Sequence, residues 1–281
     1  TTTVEAKTGY GLDTQTELQM LAALTALDHE GPWDLILTFL GAHAIPPEYD
    51  NDPDGYVELL CTEMLPAVKS WWNENIGGQT LPFADVFCET GAFSLTQSKK
   101  ILVTAKALGF PLKIHADEFD NLGGTKMAAE LGALSADHLV AASAADIKAL
   151  AESNTVAVAL PGTPFGLASS DYAPAQKIID AGGILAVASD LNPGTSWCEN
   201  MQMAIALACR YMKLTPAQAI AAATINGAAA VGQSEKLGSL TVGKQADMLI
   251  LSVNNYRHIG YQYGTNLVNT VIKKGEIVVQ N

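Results

Sequence analysis

A chain of 281 residues that is 48% hydrophobic and only 16% charged can bury a sizeable core, and it lacks the composition of a disordered polymer. A formal net charge of −13 speaks against a nucleic-acid-binding surface. No run of about 18 apolar residues occurs, so no membrane-spanning helix is expected.

Thr1 to Lys7 reads as a strand that ends in a Gly-punctuated loop, Thr8 to Leu12. Because the chain opens on β-branched residues without an initiator Met, it is expected to be a fragment of a longer protein. Asp13 or Thr14 can cap a helix over Glu17 to His29. Leu35 to Gly41 is a second strand, ended by Pro46 and Pro47 after Ala42-His43-Ala44. A polar, acidic stretch from Glu48 to Asp54 precedes a periodic helix, Tyr56 to Trp72. Ala84 to Glu89 is the third strand, followed by a helix around Gln97 to Leu108. Pro111 then breaks the chain before a fourth strand, Leu112 to His115, in which apolar and polar residues alternate.

Thr125 to Leu131 and Ala144 to Glu152 read as helices, with a short fifth strand ending at Ala136 to Leu139 between them. Thr155 to Leu160 is the sixth strand, and Pro174 to Ala181 the next helix. Ile184 to Ser189 is the seventh strand and runs into Asp190 to Thr195. Continuous apolar strands alternating with helices predict a parallel α/β fold covered on both faces. Polar residues fall after nearly every strand, which suits a ring of loops better than a single switch point. The expected fold is therefore a (β/α)8 TIM-like barrel lacking its first strand, over residues 1–232. Residues 233–281, with a strand at Met248 to Val253 and a hairpin over Val268 to Val279, are expected to form part of a small flanking β-sandwich.

Three polar residues at strand ends, His115, His138 and Asp190, are candidate donors to a borderline divalent cation, Zn²⁺ or Fe²⁺. Each also has a plainer reading. His115 can be a satisfied core histidine, His138 a partner of Asp137, and Asp190 a helix cap. Cys61, Cys88, Cys198 and Cys209 form no CxxC pair and no signal peptide is present, so reduced structural thiols in a cytoplasmic protein are expected.

Longer stretches resemble the amidohydrolase superfamily. They are VEAKTGYGL from Val4, FLGAHAIP from Phe39, ADVFCETGAFS from Ala84, KIHADEF around Ile114, SADHL from Ser135, LPGTPFGL from Leu160 and ASDLNPGTS from Ala188. Within that superfamily the resemblance is to members that open the cyclic amide of 4-imidazolone-5-propanoate in histidine breakdown, giving N-formimidoyl-L-glutamate. It implies a single Zn²⁺ or Fe ion with His115 and Asp190 among its ligands. Two more ligands of the superfamily come from an HxH pair, which this sequence does not contain. Metal binding by the chain alone is accordingly expected to be weak, and the fragment inactive. The resemblance also implies substrate contacts from Tyr10, His43, Glu118, Asn192, Gly194 and Thr195, with Asp190 as the base, and Glu118 and His138 assisting. It allows a homodimer. Other hydrolases or deaminases of heterocyclic rings share much of the ligand set, and an inactive, metal-free remnant is the non-enzymatic alternative.

Overall fold

The computed structural model describes residues 1–281, which divide into two compact units, residues 1 and 3–136, and residues 2 and 137–281. In the first unit, β1 (Thr3–Lys7), β2 (Asp34–Ala42), β3 (Phe83–Cys88) and β4 (Lys113–Ala116) pair in that order, all parallel. The helix α1 (Thr14–Glu30) follows β1, with Asp13 as the cap that accepts from Thr16 N–H. After β2 come α2 (Pro53–Leu59) and α3 (Leu65–Asn75), after β3 comes α4 (Leu95–Leu108), and after β4 comes α5 (Gly124–Leu131). A capping box between Ser94 and Gln97 starts α4, and a left-handed Gly109 ends it.

The stretch expected as one helix from Tyr56 to Trp72 is continuous but not uniform. Between α2 and α3, Leu60–Met64 widens into a π turn, with Leu65 N–H donating to Leu60 O. Pro66 in the next turn has no N–H to give, and a widened turn accommodates that locally. Tyr56, Leu60, Met64, Leu65 and Val68 are nearly inaccessible there. The Tyr56 hydroxyl donates to Gly41 O at the end of β2. The register of β2 against β3 shifts between Phe39 and Ala42. Gly41 lies in that irregularity, and a Cβ on it would fall 2.5 Å from the Phe39 ring.

Strand β5 (Ser135–His138) carries the boundary between the units. The second unit continues with α6 (Ala144–Ala151), β6 (Val156–Ala159), α7 (Gly162–Gly166), α8 (Ala175–Asp180) and β7 (Leu185–Val187), with β6 and β7 parallel. Val156, Val158, Leu160, Ala186 and Ala230 form a compact apolar cluster. Helix α9 (Met201–Tyr211) comes next, and the Ala-rich run from Pro216 to Val231, whose composition favours one helix, is broken at Thr224 into α10 (Pro216–Ala223) and α11 (Ile225–Ala230). Thr224 sits at φ −123° and ψ −85°, with its hydroxyl bonded back to Ile220 O. Strand β8 (Met248–Leu251), the short helix α12 (His258–Tyr261), β9 (Val268–Lys273) and β10 (Glu276–Gln280) complete the chain. The three strands form an antiparallel sheet in the order β10-β9-β8. No helix is long and apolar enough to cross a membrane.

Candidate active site

The strands of the first unit are not the uniformly apolar runs that a sheet covered on both faces suggests. Glu5 and Lys7 of β1, Asp85 of β3, and Lys113 and His115 of β4 alternate with apolar neighbours and join into one network. Lys7 Nζ donates to Asp85 Oδ2 at 2.7 Å and lies 3.2 Å from Glu5 Oε1. Lys113, itself fully buried, donates to Glu5 Oε2 at 2.8 Å, and Thr38 Oγ1 donates to Glu5 Oε1. Charged groups this deep persist only with partners, and here each has one.

The network ends on His115, whose Nδ1 lies 3.1 Å from Asp85 Oδ1 and 3.0 Å from Oδ2. A carboxylate only accepts, so Nδ1 carries the proton and Nε2 is the nitrogen a metal would use. Metal-binding histidines are commonly oriented in this way by a carboxylate behind the ring. The Asp85 side chain has no exposed surface. Burial alone would raise its pKa, but the His115 and Lys7 charges and hydrogen bonds outweigh that and hold the carboxyl well below the usual carboxylate range.

A row of rings connects His115 to two other predicted residues. Tyr10 and His43 meet edge to face with centroids 5.2 Å apart; His43 lies 6.3 Å from Phe87, and Phe87 6.2 Å from His115. His43 Nδ1 donates to Gly9 O at 2.9 Å, so in the neutral ring Nε2 is an acceptor. Gly9 has φ +110°, and a Cβ there would come within 2.7 Å of Leu40 O, so the close approach of this loop to β2 requires glycine. Tyr10 is 56% exposed, and its ring is reachable by a ligand. Phe87 was not among the expected site residues, because within ADVFC it reads as core. Its alternation with Asp85 and Glu89 was the available signal.

Two loops of this unit are held by carboxylates. After β1, Glu17 accepts from Gly9 N–H with both oxygens, at 3.1 and 3.0 Å, and from Gly11 and Leu12 N–H at 2.8 and 3.1 Å. After β4, Glu89 accepts from the N–H groups of Glu118, Phe119 and Asp120 at 3.1, 2.9 and 3.2 Å. Asp117, between His115 and Glu118, is left-handed at φ +53° and accepts from Leu122 and Thr125 N–H. Glu118 itself is buried.

In the second unit, His138 and Asp190 also take left-handed backbone, at φ +78° and +52°, His138 as the last residue of β5 and Asp190 in the loop after β7. Non-glycine residues rarely adopt this conformation, and such strain concentrates at functional sites. Asp190 Oδ2 accepts from the hydroxyl of Thr163. Asn192 closes its own loop: its amide nitrogen donates to Asp190 O and Thr195 Oγ1, and its oxygen accepts from Gly194 and Thr195 N–H, both at 2.8 Å. The N–H groups of Gly194 and Thr195 are thus turned onto Asn192.

The profile of the Amidohydrolase family matches residues 91–278. An imidazolonepropionase of Herpetosiphon aurantiacus is 57% identical over 281 residues, all of this chain and 66% of that protein. One of Alkaliphilus oremlandii is 48% identical over 279 residues, 99% of this chain and 64% of that protein. The chain spans just under two thirds of the length of these relatives. A zinc-bound atrazine chlorohydrolase of Arthrobacter aurescens TC1 superimposes with a TM-score of 0.71 at 14% identity, covering 100% of this chain and 68% of that one. That likeness shows the fold, a TIM-like α/β barrel of which β1 to β7 are seven strands, one short of eight, with a small antiparallel sheet in addition. With a profile matched over two thirds of its residues, the chain belongs to the amidohydrolase family.

Proposed function

We propose that the protein hydrolyses 4-imidazolone-5-propanoate to N-formimidoyl-L-glutamate, as an imidazolonepropionase of histidine catabolism. The observation that carries this reading is the row Tyr10–His43–Phe87–His115, which leads from an exposed tyrosine ring to a histidine pinned by a buried carboxylate. The planar ring of the substrate suits a wall of aromatic rings.

His115, with its Nδ1 proton held by Asp85, fits a metal ligand, and Asp190 is the second residue assigned to hold a single Zn²⁺ or Fe²⁺ ion. Bound there, such an ion supplies Lewis acidity and brings the pKa of water toward about 7. Asp190 takes a proton from the attacking water at Oδ1, since Oδ2 already accepts from Thr163. Glu118 holds or protonates the ring nitrogen of the substrate as the amide bond breaks, and the proton that Asp190 has taken from the water balances the one the nitrogen gains. His138 orients or polarises the carbonyl. His43 Nε2 accepts from a ring N–H, and Tyr10 covers the ring. Of Asn192, Gly194 and Thr195, the Thr195 hydroxyl donates to the propionate, while the Asn192 amide and the Gly194 and Thr195 N–H groups, used within the loop, hold that hydroxyl in place.

A barrel domain over residues 1–232, part of a β-sandwich over 233–281, a cytoplasmic location and a homodimer belong to the same proposal; neither nucleic acid nor membrane does. The test is turnover of imidazolone propionate by a full-length protein that supplies the HxH pair, with every variant made in that protein, followed with metal content, beside cytosine, guanine and adenosine. Formation of N-formimidoyl-L-glutamate in proportion to bound Zn²⁺ or Fe²⁺ is the expected outcome. Deamination of a nucleobase by the metal-loaded protein, without imidazolone turnover, would overturn it.

A further inference from the structure

We propose that Glu17 and Glu89 are positioning residues that set, by one shared device, the two loops carrying Tyr10 and Glu118. The inference rests on the imidazolone reading for what those loops touch, but not for the device itself. Glu17 is 0% and Glu89 2% exposed. Each carboxylate gathers several backbone N–H groups of one loop. Glu17 takes Gly9, Gly11 and Leu12, on both sides of Tyr10. Glu89 takes Glu118, Phe119 and Asp120, together with its neighbour Thr90.

Loops at a surface ordinarily satisfy such groups with water. Enclosing an ionised carboxylate instead has a desolvation cost, so its use here calls for a reason. Successive N–H groups aimed at one point form an anion-binding concavity, and a carboxylate from the chain itself fills each of these two. The result is a fixed backbone that leaves Tyr10 exposed between Gly9 and Gly11 and sets Glu118 buried at the first of the three N–H groups of its loop, as a preorganised site requires. Glu17 reaches backwards from the first turn of α1 to the loop that precedes it. Glu89 reaches across from the end of β3 to the loop after β4. The two have no sequence relation, yet they serve the loops that bear Tyr10 and Glu118, while the third predicted contact of this unit, His43, is held through Gly9 O.

Glu17→Gln and Glu89→Gln keep size but aim an NH2 group at N–H donors. Glu17→Gln is expected to raise KM for imidazolone propionate about 10-fold with kcat within about 2-fold, because Tyr10 contributes binding; Glu89→Gln lowers kcat about 10-fold through Glu118. Amide hydrogen exchange should quicken at Gly9, Gly11 and Leu12 in the first variant, and at Thr90, Glu118, Phe119 and Asp120 in the second, and nowhere else. If a Gln variant does not fold, Glu17→Asp or Glu89→Asp retains the charge and shortens the reach, and is scored in the same way. Exchange that quickens throughout the chain would assign the glutamates to the fold, and local quickening with wild-type kinetics would show that the loops need no positioning; either overturns the proposal. A wild-type protein without imidazolone turnover would sink the substrate reading alone, and the exchange pattern would still decide the clamps.

Discussion

Strands β3 and β6 are both short, parallel and buried, yet they are built from opposite materials. The side chains of β6 are Val156, Ala157, Val158 and Ala159, packed in an apolar cluster with Leu160 and Ala186. Strand β3 places Asp85 and Phe87 on one face, where they meet Lys7, His43 and His115. The difference separates strands that support from strands that also present chemistry. Substitutions in β6 should change stability alone, whereas those in β3 and the loop after β4 should change function.

The largest effect is expected at Asp85. Asp85→Ala leaves Lys7 and His115 without the carboxylate they share. Breaking one partner of a buried ion pair costs about 3–5 kcal/mol where the other charge is stranded; Lys7 keeps Glu5 at 3.2 Å, so the loss should fall at or below the low end of that range. Denaturant unfolding should show a loss of this size, and metal affinity should fall with it, since the His115 ring is no longer oriented. Asp85→Ala at wild-type stability with full metal binding would erase the contrast between the strands.

Glu118→Gln tests the other half of the comparison. Its backbone is fixed through Glu89, so the side chain can change without disturbing the loop. Removing a group that handles a proton lowers kcat/KM about 10²-fold or more, with unfolding free energy changed by less than about 1 kcal/mol. Equal losses of activity and stability would place Glu118 among the supporting residues.

Val158→Ala in β6 is the control. Removing two buried methyl groups, with little room for the cluster to collapse, should cost about 1.5–2.5 kcal/mol and leave kcat and KM unchanged. A shift in KM would mean that β6 also shapes the site.

The contrast was partly legible in the residues themselves. Pro111 and the alternation of Lys113 and His115 with apolar neighbours mark β4, and the apolar run at Thr155 to Leu160 marks β6. The same alternation in VEAK and ADVFC could have signalled the charged face, but a carboxylate in a strand does not announce its partner, and Asp85 meets His115 from 30 residues away. Tyr10 and His43 are reached through the family resemblance. Phe87, which joins them to His115, carries no polar atom to distinguish it from core. Glu17 was harder still. A glutamate in the first turn of a helix reads as a solvated partner of the helix dipole, and only the fold shows it turned inward onto Gly9, Gly11 and Leu12. The π turn before Pro66 and the break at Thr224 depend on local backbone geometry that apolar periodicity does not record.

The smallest effect is expected at Cys88, which ends β3 between Phe87 and Glu89. A thiol this close to a site could be taken for a nucleophile, and the comparison of strands predicts otherwise. Burial first, then the nearby Asp117 and Glu89 charges, push its pKa up to about 11 against the Ser98 hydrogen bond. The group is fully enclosed. Reactivity follows the thiolate, and at pH 8 a thiol with a pKa of about 11 is only about 0.1% ionised. Because the pKa is raised, acidification leaves it neutral and only strongly alkaline pH would charge it. Iodoacetamide at pH 8 should therefore leave Cys88 unmodified in the folded protein while modifying the partly exposed Cys198, with mass spectrometry reading each site. Rapid alkylation of Cys88 with loss of activity would move it from the supporting residues of β3 to the reactive ones. Cys88→Ser, close in volume, should then be tested for lost turnover; unchanged kinetics would confine the chemistry of β3 to the face shared by Asp85 and Phe87.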